Sequence, residues 1–337
     1  MNAILSRVEG LQGDGRLERF ALGKSPSCVL LTPRFRTSRH VVALLIPSGA
    51  GEPKLVVKVP RLPGEDDGIA HEARVLVSLR ERSPAASESV PEVVAYEDGD
   101  RPMLVETALV GPPMTRRMLR NDPVRRIDTV VSWLMSLPPA DGDRRSFDRL
   151  VVDPLHTFSE SFPEAAGERD LVSRTLEIVQ PLGDASLPHV FEHGDLSNPN
   201  LILLSSGRVG VVDWELAEEE GFPLHDLSFF LAFATFALRR TPTTEDYVAA
   251  FHDAFFGRAG WARSRVLAYA DRFELEKAVL APLFLACWAR YTAGLAARIA
   301  DDPSGLDEDG ATWVRRNRYY RLWSHALENL GDLAWAR

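Results

Sequence analysis

The stretch His193-Gly194-Asp195-Leu196-Ser197-Asn198-Pro199-Asn200, followed by Leu201-Ile202-Leu203-Leu204, Ser205-Ser206-Gly207-Arg208, Val209-Gly210-Val211-Val212 and Asp213, decides how the chain is read. Two short apolar runs flank a segment of turn composition, which predicts a β-hairpin. Paired strands lie about 4.8 Å apart, so Asn200, entering the hairpin, and Asp213, leaving it, become neighbours. Hard cations such as Mg2+ take oxygen ligands, typically one or two from protein and the rest from phosphate or water. Asn200 and Asp213 supply oxygens of that kind. Asp195 stands at the start of the same loop, where it can face an incoming hydroxyl. Each residue alone reads as an ordinary loop residue; the joint spacing carries the signal.

These residues resemble the aminoglycoside phosphotransferase and choline kinase family, the small-molecule branch of the protein-kinase-like fold. Its members carry an HGD-x4-N loop and a metal-binding Asp after a short hairpin. The resemblance implies an α+β, bilobal protein-kinase-like fold, with a β-rich N-lobe bearing one helix and a larger, mainly helical C-lobe. It implies that Asp195 orients or deprotonates the acceptor hydroxyl and that Asn200 and Asp213 hold Mg2+. His193 braces the loop, and Asp226 ties it down. ATP or GTP is the expected phosphoryl donor. A single boundary is expected, with residues 1–106 forming the nucleotide-binding lobe and 107–337 the catalytic and acceptor-binding lobe.

The first hundred residues support this division. Val41–Pro47 and Lys54–Pro60 read as strands joined by a Ser48-Gly49-Ala50-Gly51 turn. Lys58 interrupts the second strand, opposite the face of Leu55, Val57 and Val59. A helix follows, with Ile69, Ala73, Leu76 and Leu79 on its apolar stripe and Glu72 falling on the same stripe. A carboxylate there is costly without a cation, which makes Lys58 the expected partner. In kinases such a pair holds the lysine on the α- and β-phosphates. Val93–Tyr96 and Met103–Glu106 read as further strands. The segment Glu106-Thr107-Ala108-Leu109 resembles the family hinge, in which Glu106 and Ala108 would present backbone groups to the base. One departure stands out. The loop Thr32-Pro33-Arg34-Phe35-Arg36-Thr37-Ser38-Arg39 contains no glycine, whereas backbone cradles for phosphate usually need it. Ser38 and the arginines are the candidate side-chain substitutes.

After Asp213 the chain reads Trp214-Glu215 and soon reaches Pro223-Leu224-His225-Asp226. That is too short for the activation segment with which protein kinases present a peptide, so a small acceptor is expected. Glu215 and Glu218, in a run with Glu219 and Glu220, are candidates to receive an amine-bearing acceptor by charge attraction. Trp288 and Tyr291 are candidates to stack on it, although aromatics at helical spacing more often build a core. From Pro123 onward helical patterns dominate, with buried helices expected over Leu227–Leu238 and Val279–Ala289.

Composition narrows the partners. The chain has 337 residues, 45% apolar and 26% charged, with a net charge of −9. That is ordinary for a globular protein, and the acidic balance argues against a nucleic-acid partner. The two cysteines give no disulfide framework. No signal-like N-terminal stretch is present, and the apolar runs are short for a bilayer span. A cytoplasmic place and no membrane partner are therefore expected. The leading expectation is an O-phosphotransferase acting on a small hydroxylated molecule, either an antibiotic of aminoglycoside or nucleoside type or another natural product. A metabolite kinase for a sugar, choline or homoserine, and a pseudokinase without turnover, stand as alternatives.

Overall fold

The computed structural model describes residues 3–31, 40–61, 67–140, 144–161, 166–239, 241–258, 260–300, 312 and 315–335. In chain order the elements are α1 (Ala3–Gly13), β1 (Ser27–Leu31), β2 (His40–Ile46), β3 (Leu55–Pro60), α2 (Asp67–Arg82), β4 (Val93–Glu97) and β5 (Met103–Thr107). Then come α3 (Arg116–Asn121), α4 (Pro123–Ser136), β6 (Pro139–Ala140), α5 (Arg144–Phe147), α6 (Asp153–Ser161) and α7 (Ala166–Val179). Strands β7 (His189–Glu192), β8 (Leu201–Leu203), β9 (Val209–Val211) and β10 (Glu218–Gly221) follow. Helices α8 (His225–Leu238), α9 (Thr244–Phe255), α10 (Arg263–Arg272), α11 (Lys277–Ala300) and α12 (Arg318–Glu328) complete the chain. The glycine-free loop Thr32–Arg39, with Ser38, lies outside the described residues.

Contacts divide the chain into two compact units, Met1–Met114 with Pro199–Ala217, and Thr115–Asn198 with Glu218–Arg337. The division is thus discontinuous, whereas a single cut after Glu106 was expected. Backbone bonding explains why the hairpin joins the first unit. Leu203 N–H donates to Pro112 O at 2.9 Å and Met114 N–H to Leu201 O at 2.7 Å, so the free edge of β8 is zipped to the segment after β5. On the other side, Val211 N–H donates to Ser89 O at 2.7 Å. A short hairpin with both edges satisfied locally has no unpaired backbone to bury elsewhere.

In the first unit an antiparallel sheet runs in the order β1-β2-β3-β5-β4. Alternation sorts its side chains to two faces. Leu45, Leu55, Val57 and Val105 pack with Ile4, Val8 and Leu11 of α1, a helix that the β-rich reading of this region did not include. Leu104, on the opposite face, packs with Ile69 and Ala73 of α2. Lys58 pairs in register with Leu104, so its side chain rises on the α2 side. The stripe of α2 is buried as its spacing predicts, with Leu76 and Leu79 fully enclosed.

The second unit is mainly helical, with a small sheet in the order β10-β7-β6. Helix α8 is buried along nearly its whole length, as its unbroken apolar run requires. Helix α11 extends well beyond Val279–Ala289; by length and composition alone, its segment Lys277–Ile299 is long and apolar enough to cross a membrane. In the structure it is a core helix, with Leu283, Phe284, Leu285 and Trp288 buried.

The docking of the hairpin leaves no room at Gly111, where an added Cβ would collide with the backbone carbonyl of Leu203. Because the obstacle is backbone, Gly111→Ala is expected to destabilise the protein by about 1–3 kcal/mol, measured by chemical denaturation.

Candidate functional site

In the first unit the site begins with a buried lysine. Lys58 Nζ lies 2.6 Å from Glu72 Oε1, 3.6 Å from Asp213 Oδ1 and 3.7 Å from Glu106 Oε1. A buried ammonium is costly unless paired, and three carboxylates surround this one. Although burial alone would lower the Lys58 pKa, Glu106, Glu72 and Asp213 carry it above the usual lysine range. Glu72 is itself fully buried, and its Oε1 also accepts the Trp214 N–H at 2.8 Å. One oxygen therefore fixes β3, α2 and the segment just after Asp213.

The Glu106 side chain has a partner of its own, apart from the backbone hinge role expected of this residue. Its backbone pairs within the sheet, opposite Val56 and Val93, and its side chain turns inward toward Lys58. Burial pushes its carboxyl up to about 8, helped by Glu72 and opposed by Lys58. The neighbouring N–H groups are also committed, Thr107 to Glu92 O and Ala108 to Lys54 O.

Asn200 and Asp213 meet at the open end of the hairpin, where Val212 N–H donates to Asn200 O at 3.0 Å. Asp213 has φ of 71°, a left-handed conformation that non-glycine residues adopt sparingly and that clusters at functional sites. A carboxamide and a carboxylate side by side are a donor set that fits a hard divalent cation. His40, which the sequence reading missed, adds nitrogen. Its Nε2 is 3.7 Å from Asp213 Oδ1 and its Nδ1 is 3.1 Å from Glu215 Oε2. The ligand atoms of His40, Asp213 and Glu215 all lie within 4.8 Å of one another. No local periodicity marks His40; only the return of the chain after the hairpin brings it there.

In the second unit Asp226, buried at the start of α8, grips the loop that carries Asp195. Its Oδ2 accepts the His193 N–H at 2.6 Å and its Oδ1 the Gly194 N–H at 3.0 Å. Gly194 has φ of 79°, which the absent side chain permits. His193 Nδ1 accepts the Asp195 N–H at 3.2 Å, and Asp195 O accepts the Ser197 N–H at 2.8 Å. Asp195 itself is half-buried.

Beneath this loop lies a buried ion pair. Arg290 Nη1 and Nη2 donate to Glu192 Oε2 and Oε1 at 3.0 and 2.9 Å, and Glu192 Oε2 also accepts the Phe222 N–H. Against the effect of burial, Arg290 and His225 hold the Glu192 carboxyl below its usual value. Glu192 closes an apolar strand, a local hint that a cation must meet it. The partner lies 98 residues on in α11, where nothing in the sequence points to it.

Most of the acceptor candidates are engaged within the protein. Trp288 is fully buried, packed on Phe229, Phe251 and Phe284, so it is a core residue. Glu215 is bonded to His40. Glu218 is gripped by both Nη atoms of Arg149 at 2.9–3.0 Å, and Glu220 accepts from Ser146. The acidic run is therefore largely engaged with local partners. Tyr291 is the exception among the four candidates. Burial, then the charge of Asp195, raises its phenol well above the usual value, and the same two causes act on Tyr319. The two rings lie 4.6 Å apart between centroids.

A family model described as "Phosphotransferase enzyme family" matches residues 39–267. Among solved structures, the chain is similar to a thermostable mutant of aminoglycoside phosphotransferase APH(4)-Ia in ternary complex with AMP-PNP and hygromycin B. The TM-score is 0.57 at 15% identity, covering 93% of this chain and 97% of that one. Choline kinase LicA from Streptococcus pneumoniae gives a TM-score of 0.55 at 13% identity, covering 94% and 99%. A choline/ethanolamine kinase family protein from Mesorhizobium loti gives 0.53 at 17%, covering 95% and 99%. At these identities the likeness is one of fold. The comparison with curated proteins gives no match.

Removing one member of the buried Glu192–Arg290 pair strands the other. Arg290→Met should cost about 3–5 kcal/mol, and the double replacement Arg290→Met with Glu192→Met should recover much of it in denaturant titrations. His225 supplies a pH signature. Burial holds it down to about 4, so between its ordinary value near 6.5 and 4 the unfolded chain takes up a proton that the folded chain refuses. Its contribution is therefore lost as pH falls through that window. His225→Gln should flatten that part of the stability profile.

Proposed function

Because the chain belongs to the phosphotransferase enzyme family, we propose that this small-molecule kinase transfers the γ-phosphate of ATP or GTP to a hydroxyl of a small acceptor. The observation that carries the reading is Lys58, buried, held by Glu72 at 2.6 Å and standing 3.6 Å from Asp213. A lysine fixed beside a left-handed aspartate has little structural purpose of its own, since an apolar pair would fill the same space at lower desolvation cost. It has a clear purpose in receiving the α- and β-phosphates.

Phosphoryl transfer proceeds through a loose transition state, so positioning and charge neutralisation do most of the work. In this reading Lys58 binds the phosphates, and Glu72 keeps the ammonium charged and aimed. Asn200 and Asp213 would hold Mg2+, which supplies charge neutralisation on the phosphate oxygens. Asp195 aligns the acceptor hydroxyl and accepts its proton. Asp226 keeps the Asp195 loop in place through the two N–H groups it accepts, and His193 fixes the Asp195 backbone. The solved relatives support a nucleotide donor and a small acceptor, since one is described with AMP-PNP and hygromycin B and others as choline or ethanolamine kinases. A cytoplasmic place, where nucleoside triphosphates are abundant, belongs to the same proposal.

Mass spectrometry of pooled acceptors incubated with the protein, Mg2+ and ATP or GTP is expected to show a one-phosphoryl mass gain. Asp195→Ala should lower turnover by about 10²–10⁴-fold, the usual size of general-base help, with nucleotide binding retained. Asp213→Ala should lose Mg2+-dependent nucleotide binding as well. Full turnover by the Asp195→Ala protein would refute the assignment.

A further inference from the structure

We propose that the acceptor of this kinase carries an anionic group, a carboxylate or a phosphate, and that Arg318 receives it. The inference rests on the reading of Asp195 as the residue that aligns the acceptor hydroxyl.

Arg318 opens α12 and is half-buried. Its guanidinium lies 4.7 Å from the ring centroid of Tyr319, 5.1 Å from that of Tyr247 and 5.5 Å from that of Phe233. Its Nη2 donates to Tyr319 Oη at 2.6 Å. Every partner is formally neutral, and among the described residues no carboxylate forms an ion pair with Arg318. Half-buried cations ordinarily find an acid, and a guanidinium offers five N–H donors in a planar fork suited to carboxylate and phosphate. Its position at the start of α12 bears on the charge it prefers to meet. The N-terminal end of a helix is already the positive end of its dipole, which disfavours a cation and favours an anion. The charge of Arg318 is felt by its neighbour Tyr247, together with that of Arg116. Although burial alone would raise it, the Thr241 hydroxyl, Arg318 and Arg116 hold the Tyr247 phenol below its usual value.

The aromatic wall connects this cation to the reacting end of the acceptor. Tyr319 is bonded to Arg318 and also feels the charge of Asp195, as does Tyr291, whose ring is tilted at 59° to it with centroids 4.6 Å apart. An acceptor seated against the partly exposed Tyr291, with the buried Tyr319 behind it, would place a hydroxyl toward Asp195 and its anionic group toward Arg318. The same geometry disfavours cationic acceptors. Aromatic faces bind quaternary or primary ammonium groups by cation–π attraction, but here the Tyr319, Tyr247 and Phe233 faces already hold an internal guanidinium. Three acidic residues of this unit are already engaged, Glu218 with Arg149, Asp253 with Arg239, and Asp246 in the capping box of α9.

The test uses the full chain with Mg2+ and a non-hydrolysable ATP analogue, titrated calorimetrically with acceptor pairs matched in skeleton. The pairs are gluconate against glucose, shikimate against methyl shikimate, and glucose 6-phosphate against glucose, with choline and glucosamine as cations. The expected result is that at least one anionic member binds about tenfold or more tightly than its neutral partner, the size of one charge-assisted hydrogen bond. Whether the carboxylates or the phosphate lead tells which anion the site takes. Arg318→Gln should erase the preference and Arg318→Lys should keep part of it; unchanged melting of both variants separates this from misfolding. Neutral or cationic members binding as well as the anions, no anion binding at all, or a preference that survives Arg318→Gln would each overturn the proposal. The kinase reading is judged separately, by nucleotide binding and by transfer from ATP to any member of the panel. Transfer to choline or glucosamine alone would keep that reading and sink this one.

Discussion

The buried ammonium of Lys58 is the constraint around which the first unit is arranged. A lysine on the α2 side of β3 cannot stay charged in an apolar setting without partners, and Glu72, Glu106 and Asp213 supply them. Each partner then becomes fixed in turn. Glu72 must sit on the inner face of α2, which sets the rotation of that helix. Because its Oε1 also accepts the Trp214 N–H, the chain leaving the hairpin is held at the same point. The left-handed φ of Asp213 follows from this closure: the backbone must turn sharply to present a carboxylate to Lys58 and an amide to Glu72 one residue later.

The second unit solves a parallel problem with the opposite sign. The loop bearing Asp195 is short and irregular, so its N–H groups need acceptors. Asp226 accepts two of them from within α8, and Glu192, immediately before the loop, is neutralised by Arg290 from α11. Loop geometry thus depends on two buried acids, one satisfied mainly by backbone N–H groups and one by a guanidinium. A buried charge pair is weak evidence for stability but strongly specifies which residues must meet. The neighbouring residue on α11 is Tyr291, so the helix that neutralises Glu192 also sets a phenol whose pKa the charge of Asp195 helps to raise.

Charge in the sequence and charge at a site proved to be different quantities. The run Glu215–Glu220 suggested an acidic reception for the acceptor, yet His40, Arg149 and Ser146 engage three of its members. The cation beside the aromatic wall, Arg318, is one of four arginines between Arg315 and Arg321, and nothing local distinguishes it from the others. Local fields follow from which charges are paired, and pairing is a tertiary property.

The sequence by itself determined the chemistry-bearing loop, the hairpin and the principal lysine pair. These follow from local rules: turn composition between apolar runs, two-residue alternation, and a carboxylate on an apolar helical stripe that demands a cation. Lys58 and Glu72, fourteen residues apart, were legible because the cost of burying each one alone pointed to the other. The helical character of the second half and its buried helices were legible for the same reason, and the family match and the solved relatives agree with a protein-kinase-like α+β fold. Only the tertiary structure decided that the hairpin belongs to the first unit, that the Glu106 side chain turns inward toward Lys58, and that His40 and Arg290 join the groups around Asp213 and Glu192. Each of those outcomes depends on partners brought together across long stretches of chain, where no periodicity or spacing encodes the meeting. Burial energies fix them, and burial is settled only when the whole chain has packed.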